Sequence, residues 1–341
     1  MIQIWKQQGG GLAPAETAGS GTWLDVRWAS REDLAVLEKD HGILSEHLQD
    51  IVDADEQSRM EKEDDYTLLI VRLPVHDSRY EPTFFTAPVG IVLFPDRVVT
   101  VCWADSEVLA DMAENRVRGL SLENRNAFVL RLLGRAAIVY LRHLKVLNRR
   151  TGAIERELQK SVRNTELIQL LTIEKSLVYF TTSLKSNELV LEKLLKSRLI
   201  RFQEEETELL EDVEIDNRQA ITMANIHSDI LSGMMDAFAS VISNNLNIVM
   251  KRLTVISLVL MIPTFIVSAF GMNVPLPWHD NGNALWFIGG LCAISALGGA
   301  IALSRDRQPV RRSRAPVPST LIAQASGLGL PLRRAVPQER G

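Results

Sequence analysis

Between Arg252 and Arg305 the chain has no Lys or Arg, and the only acid in those 52 residues is Asp280. A domain that lives wholly in water does not leave so long a stretch nearly uncharged, so a purely soluble protein is excluded. Cysteine is scarce as well. Cys102 and Cys292 stand alone and far apart, which excludes a disulfide framework and a thiolate zinc site. Proline is absent from residue 96 to residue 262, and only Gly152 and Gly233 lie between Gly134 and Gly271, so long helices are the economical reading of the middle of the chain. Catalytic signatures are missing too: there is no GxxxxGK[ST], no HExxH and no GxSxG, and an enzyme is not expected. The six histidines, His41, His47, His76, His143, His227 and His279, are scattered and read as ordinary surface or core residues. With 46% apolar and 23% charged residues over 341 positions, wholesale disorder is excluded.

What is present divides the uncharged stretch in two. Residues 253–270 (LTVISLVLMIPTFIVSAF) and 284–304 (ALWFIGGLCAISALGGAIALS) each approach the ~20 residues a helix needs to cross a bilayer. Lys251 and Arg252 precede the first span, five arginines from Arg305 to Arg314 follow the second, and the linker between carries no positive charge. The positive-inside rule then puts both termini in the cytoplasm, with Trp278 and Trp286 at the outer boundary. A multi-pass protein of the inner cell membrane, in contact with its lipid, is expected. Residues 305–341 carry eight Arg, one Asp and one Glu and five of the 13 prolines, the composition of a disordered basic tail. The remainder is acidic and carries no aromatic–basic motif, so no nucleic-acid partner is expected.

The fold class expected is an α+β cytoplasmic domain (1–120), a long-helix region and stalk (121–252), a two-helix transmembrane domain (253–304) and the tail (305–341). Strand-like runs are 22–26, 66–75, 90–94 and 98–103, the last two joined at Pro95-Asp96-Arg97. Ser30 with Asp33 forms a capping box before REDLAVLEKDHG, and 46–54 reads as a second short helix. Ser121 caps a helix to about Asn148, Gly152 interrupts, periodicity resumes over 153–202, and a third run from near Glu208 reaches Phe270 without a stop signal.

The first span has polar residues that need a reason. At helical intervals Asn247, Met250, Thr254, Ser257, Met261, Thr264, Ser268 and Gly271 share one face, and the same spacing runs back through Asp236. A polar stripe avoids lipid. Two arrangements satisfy it: a tight helix–helix interface, or a pore wall made by several copies around an axis.

The stripe ends at Gly271-Met272-Asn273, after LMIPTFIVSAF and before a short linker and a final span. That combination resembles the CorA family of divalent-cation transporters, densest over 210–273 and extending over roughly 22–304. The resemblance implies a homopentameric funnel whose first spans line the pore. It implies a selectivity filter at Gly271, Met272 and Asn273, and a wall of Ser268, Thr264, Met261, Ser257, Leu253, Met250 and Asn247 with an Asp236 ring below; it prefers Leu253 where the stepping above selects Thr254. It also implies a regulatory inter-subunit cation site pairing Asp50 of HLQDIVD with Asp212 of LLEDVEID. Family members often have Glu-Asp where this chain has Gln49-Asp50, and the linker VPLPWHDNGN replaces the usual acidic MPE-type sequence. The activity implied is a passive, potential-driven Mg²⁺ channel, with Mg²⁺ as cargo and as regulator. A Zn²⁺, Co²⁺ or Ni²⁺ carrier of the same fold is the alternative, since a zinc-transporting branch has GIN in place of GMN; a membrane-anchored helical scaffold or sensor is the other.

Overall fold

The computed structural model describes residues 2–160, 164–196, 202–272 and 283–305. The chain divides into two compact units, residues 1–242 and 243–341.

The first unit opens with three strands, β1 (Ile2–Gln8), β2 (Gly11–Ala15) and β3 (Thr22–Arg27), followed by helices α1 (Arg31–His41) and α2 (Ser45–Val52). Then come β4 (Arg59–Lys62), β5 (Thr67–His76), β6 (Phe84–Leu93), β7 (Val98–Cys102) and α3 (Glu107–Ala113). The strands form one sheet in the order β2-β1-β3-β7-β6-β5-β4. Every pairing is antiparallel except β3 with β7. Side chains alternate between its faces, as a strand requires. Leu68 and Ile70 join Leu37, Leu48 and Ile51 of α1 and α2, while Leu69 and Val71 join Val108, Phe128 and Leu132 on the other side. The layer is therefore covered on both faces. Gly90 sets how closely α2 lies on the sheet, because a Cβ there would fall 2.2 Å from Ile51 Cδ1.

The helices that follow are long: α4 (Arg125–Lys160), α5 (Asn164–Lys196) and α6 (Glu204–Phe270). Within the first unit they share a second core of Tyr140, Leu144, Leu177, Phe180, Leu184, Ala220, Ala224 and Leu231. Asn187 ties α5 to the sheet. Its Oδ1 accepts from the Arg72 N–H and the Ser58 hydroxyl (2.8 and 2.7 Å), and its Nδ2 donates to the Arg72 carbonyl (2.8 Å). The second unit contains the upper part of α6 and α7 (Ala284–Arg305).

The capping box is present: Ser30 Oγ accepts from the Asp33 N–H (3.1 Å), and Asp33 Oδ2 accepts from the Ser30 N–H (3.0 Å). Other expectations are corrected. β1, β2, β4 and α3 were not anticipated, and β6 begins six residues before the expected Gly90. Pro88 falls inside β6, just past the last β7 pairing at Val89, where that edge has no strand neighbour. The cap of α4 is Asn124, whose Oδ1 accepts from the Ala127 N–H (3.0 Å); Ser121 caps only the Glu123 N–H. Gly152 does not interrupt α4, because its cost of about 1 kcal/mol is outweighed by the burial of Leu147, Ile154 and Leu158 around it. The expected run over 153–202 is two helices, α5 ending at Lys196, and the residues of that run at 161–163 and 197–201 lie outside those described. The third run starts at Glu204 and is helical through Pro263 to Phe270, as the missing stop signal implied.

His143 of α4 is buried between the Phe84 and Phe180 rings, with Nε2 3.4 Å from a Glu107 carboxylate oxygen. Burial, with lesser contributions from Arg142 and His76, pushes its imidazole down to about 4. The folded chain holds this ring neutral while the unfolded chain protonates it below about 6.5. The associated stability is therefore full above that pH and is lost as pH falls toward 4, by on the order of 3 kcal/mol. His143→Phe is expected to lose less melting temperature than the wild type between pH 7 and pH 4.5, measured by circular dichroism on the full chain in detergent. Equal losses would contradict the assignment.

Candidate ion pathway and cation-binding residues

The upper part of α6 contains an 18-residue window of mean hydropathy 2.3, none of it buried in the isolated chain. Its faces differ. Asn247, Met250, Leu253, Thr254, Ser257, Met261, Thr264, Ser268, Gly271 and Met272 are all exposed, whereas Val255, Val259, Pro263, Ile266 and Phe270 are half-buried. At about 100° per residue the two sets centre on directions roughly 180° apart. The second set is where α7 packs. A Cβ on Gly299 would fall 2.2 Å from Val259 Cγ2, and the Cys292 thiol lies 3.8 Å from the Pro263 carbonyl oxygen. The helix pair inside one chain thus covers part of the apolar side of the first span, with Phe265 and Leu258 still exposed, and leaves the polar stripe open.

Three hydroxyls on that stripe are already committed as donors. Thr254 donates to the Met250 carbonyl (2.9 Å), Ser257 to Leu253 (3.0 Å) and Thr264 to Leu260 (2.7 Å). What each presents outward is oxygen lone pairs. At the top the helix tightens, with the Gly271 N–H donating to both the Val267 and Ser268 carbonyls (3.0 and 3.2 Å). No basic side chain occupies the last turn, so the negative end of the helix dipole is not offset by a neighbouring cation there. Asn273, Asp280 and Trp278 lie outside the described residues, as does the tail beyond Arg305. Asp236, in the first unit, is exposed on α6.

The expected regulatory acids have different surroundings. Asp50, on α2, pairs with Arg59 (Nη2–Oδ2 2.6 Å), and the same guanidinium bonds Glu61 Oε1 at 2.7 Å and contacts Glu56. Asp212, on α6, lines a cavity of about 310 Å³ with Arg116, Arg131, Arg135 and Asp216. Burial and the Asp212 charge hold the Asp216 carboxyl above the usual carboxylate range. None of the ion pairs among the described residues includes Asp212, so its charge is available to a cation.

One grouping escaped the sequence reading. His47 of α2 stands beside Glu61 and Glu63, ligand-capable atoms all within 4.8 Å of one another. The usable signal was the Glu-Lys-Glu alternation, which puts Glu61 and Glu63 on one side of a strand; nothing in the sequence tied that side to His47.

The profile of the CorA-like Mg²⁺ transporter family matches residues 18–305. The chain belongs to this family. As a CorA-like protein it is a divalent-cation transporter of the membrane, and the expectation that it is not an enzyme agrees with that membership. The cobalt/magnesium transport protein CorA of Methanocaldococcus jannaschii is 27% identical over 80% of this chain and 86% of its own length. The protein of the same name from Thermotoga maritima is 23% identical over 77% of this chain and 76% of its own. The complete structure of the CorA magnesium transporter from Methanocaldococcus jannaschii superposes with a TM-score of 0.74 at 23% identity, covering 89% of this chain and 98% of that one. At that identity it speaks for the fold alone, and the fold agrees with an α+β domain followed by long helices.

The close seat of Gly299 on Val259 carries its own test. Gly299→Leu is expected to push the two membrane helices apart and lower the melting temperature of the detergent-solubilised chain, while Gly298→Leu, with open space around its Cα, leaves it nearly unchanged. Equal effects would place the helix contact elsewhere.

Proposed function

We propose that this CorA-like protein is a passive, potential-driven Mg²⁺ channel, assembled as a homopentamer with the α6 stripe facing the axis. The observation that carries this reading is the opposition of faces. α7 packs on the apolar side of α6, so the small and polar residues from Asn247 to Gly271 serve no helix contact within the chain. Turned to lipid they would be costly; turned to one another around water they are satisfied.

The chemistry suits a hydrated ion. Mg²⁺ sheds water reluctantly, and its bound waters are hydrogen-bond donors. The lone pairs of Thr254, Ser257 and Thr264 accept such bonds without replacing the water. At the mouth, a ring of Asn273 amides with Gly271 and Met272 holds the hydrated ion weakly enough for it to leave. The dipole ends of the five helices add negative potential there. Met250 and Leu253 form an apolar constriction that closes by dewetting, with Asp236 gathering cations below. An inside-negative potential supplies about 4.6 kcal/mol per divalent ion at 100 mV. Regulation by cytoplasmic Mg²⁺ follows if Asp212 of one subunit and Asp50 of the next share an ion, which requires Asp50 to exchange its Arg59 partner for the metal. Both termini are assigned to the cytoplasm by the flanking charges.

A second reading, Co²⁺ transport, is favoured by the names of the two relatives, which are cobalt/magnesium transport proteins.

Asn273→Ala is expected to lower Mg²⁺ uptake into liposomes at least about tenfold while the pentamer still assembles in detergent; undiminished uptake would remove Asn273 from the filter. Asp212→Ala is expected to leave currents larger than wild type when the internal face holds millimolar Mg²⁺. Unchanged inhibition would exclude it from the gate. Competition of Co²⁺ with Mg²⁺ in the same uptake assay separates the two readings of the cargo.

A further inference from the structure

We propose that His47, Glu61 and Glu63 form a transition-metal site in the first unit, separate from the ion pathway. The residues come from different elements, α2 for His47, β4 for Glu61 and the turn after it for Glu63. His47 Nε2 lies 3.1 Å from Glu61 Oε2 and 3.9 Å from Glu63 Oε1. A tetrahedral ion with bonds of about 2.0 Å needs donor atoms about 3.3 Å apart, and the two His47 separations already bracket that spacing, with all three ligand atoms within 4.8 Å.

The His47 side chain is only 7% exposed and its orientation is fixed. Its Nδ1 lies 2.9 Å from the Tyr66 hydroxyl, which in turn accepts from the Leu44 N–H at 3.1 Å. With a metal bound in place of the Nε2 proton, donation from Nδ1 to Tyr66 turns the Nε2 lone pair toward the two carboxylates, the arrangement that orients a metal-binding histidine. The Glu61 and Glu63 side chains are 41% and 38% exposed, so one side of the cluster opens to solvent and leaves room for an entering ion and a fourth, water ligand.

Charge favours a dication. Arg59 takes Glu61 Oε1 but leaves Oε2 turned toward His47, and the guanidinium is itself matched by Asp50 and Glu56. Three carboxylates, Asp50, Glu56 and Glu61, thus share a single Arg, and Glu63 adds a fourth beside His47. The nitrogen donor sets the class of ion: imidazole suits Zn²⁺, Co²⁺ and Ni²⁺, whereas Mg²⁺ prefers oxygen alone.

The test uses the metal-stripped full chain in detergent, titrated with Co²⁺ as a visible-absorption probe and then with Zn²⁺. One equivalent per chain of Co²⁺ is expected to develop the bands of a four-coordinate ion, to be displaced by Zn²⁺, and to persist in about hundredfold excess Mg²⁺. His47→Gln and Glu63→Gln are each expected to weaken Zn²⁺ binding at this site at least about tenfold. Glu63→Gln is the variant that spares the fold, because its local hydrogen bond, backbone N–H to the Tyr66 carbonyl at 2.9 Å, is kept and only the 3.9 Å carboxylate contact to His47 changes. A Glu63→Gln protein that melts like the wild type without metal, yet binds Co²⁺ and Zn²⁺ unchanged, would overturn the proposal, as would unchanged binding in His47→Gln. Binding at the ion pathway persists in both variants, so the difference between wild type and variant reads this site alone.

Discussion

A hydroxyl or amide turned toward hydrocarbon finds no partner, and the first membrane helix is organised by that penalty. Thr254, Ser257 and Thr264 answer part of it locally, each donating to the carbonyl one turn back. Their acceptor sides are left over, all in one direction, and α7 takes the opposite one. Apolar contact within the chain and polar exposure outward are two results of the same sorting. On the proposed reading the outward direction is the axis of an assembly, and the stripe becomes a path only because several chains supply it together.

The same economy governs the charged corner of the first unit. Arg59 is shared by Asp50, Glu56 and Glu61, so a cation arriving at Asp50 and a cation arriving at Glu61 would act on one guanidinium. The proposed regulatory acid and the proposed transition-metal ligand are therefore not independent electrostatically, although they belong to different sites. Asp212 has no such attachment among the described residues, though Arg116, Arg131 and Arg135 line its cavity together with Asp216.

Periodicity was enough to find the membrane spans, the unbroken α6 and the polar stripe, because each depends on spacing along a single helix. The central strands β3, β5 and β7 were legible for a similar reason: Val, Leu and Ile runs bounded by polar turns admit few other structures. What escaped depends on contacts between distant parts of the chain. β1 is a Gln- and Lys-bearing strand whose pairing with β3 compensates for weak local preference, and β4 has only four residues. The strand expected from Gly90 missed the first half of β6, which carries Pro88 where the ladder to β7 has ended. Gly152 misled in α4, where surrounding burial overrides intrinsic propensity. The His47 cluster needed α2 to be placed against the sheet, and that placement depends on the absent side chain of Gly90. The proposed filter residue Asn273 rests on a short motif in its context and lies outside the described residues.

The lone parallel pairing in the sheet has a consequence for synthesis on the ribosome. β3 and β7 join two antiparallel ribbons, β2-β1-β3 and β7-β6-β5-β4, and the register matches Trp23 with Val98. The N-terminal ribbon must wait with an open edge until the segment ending at Cys102 has left the exit tunnel. Leu253, the first residue of the membrane-spanning stretch, is made some 150 positions later. The sheet can thus be sealed in the aqueous compartment before translocon engagement begins, so its sticky border is gone before the nascent chain is tethered beside its neighbours.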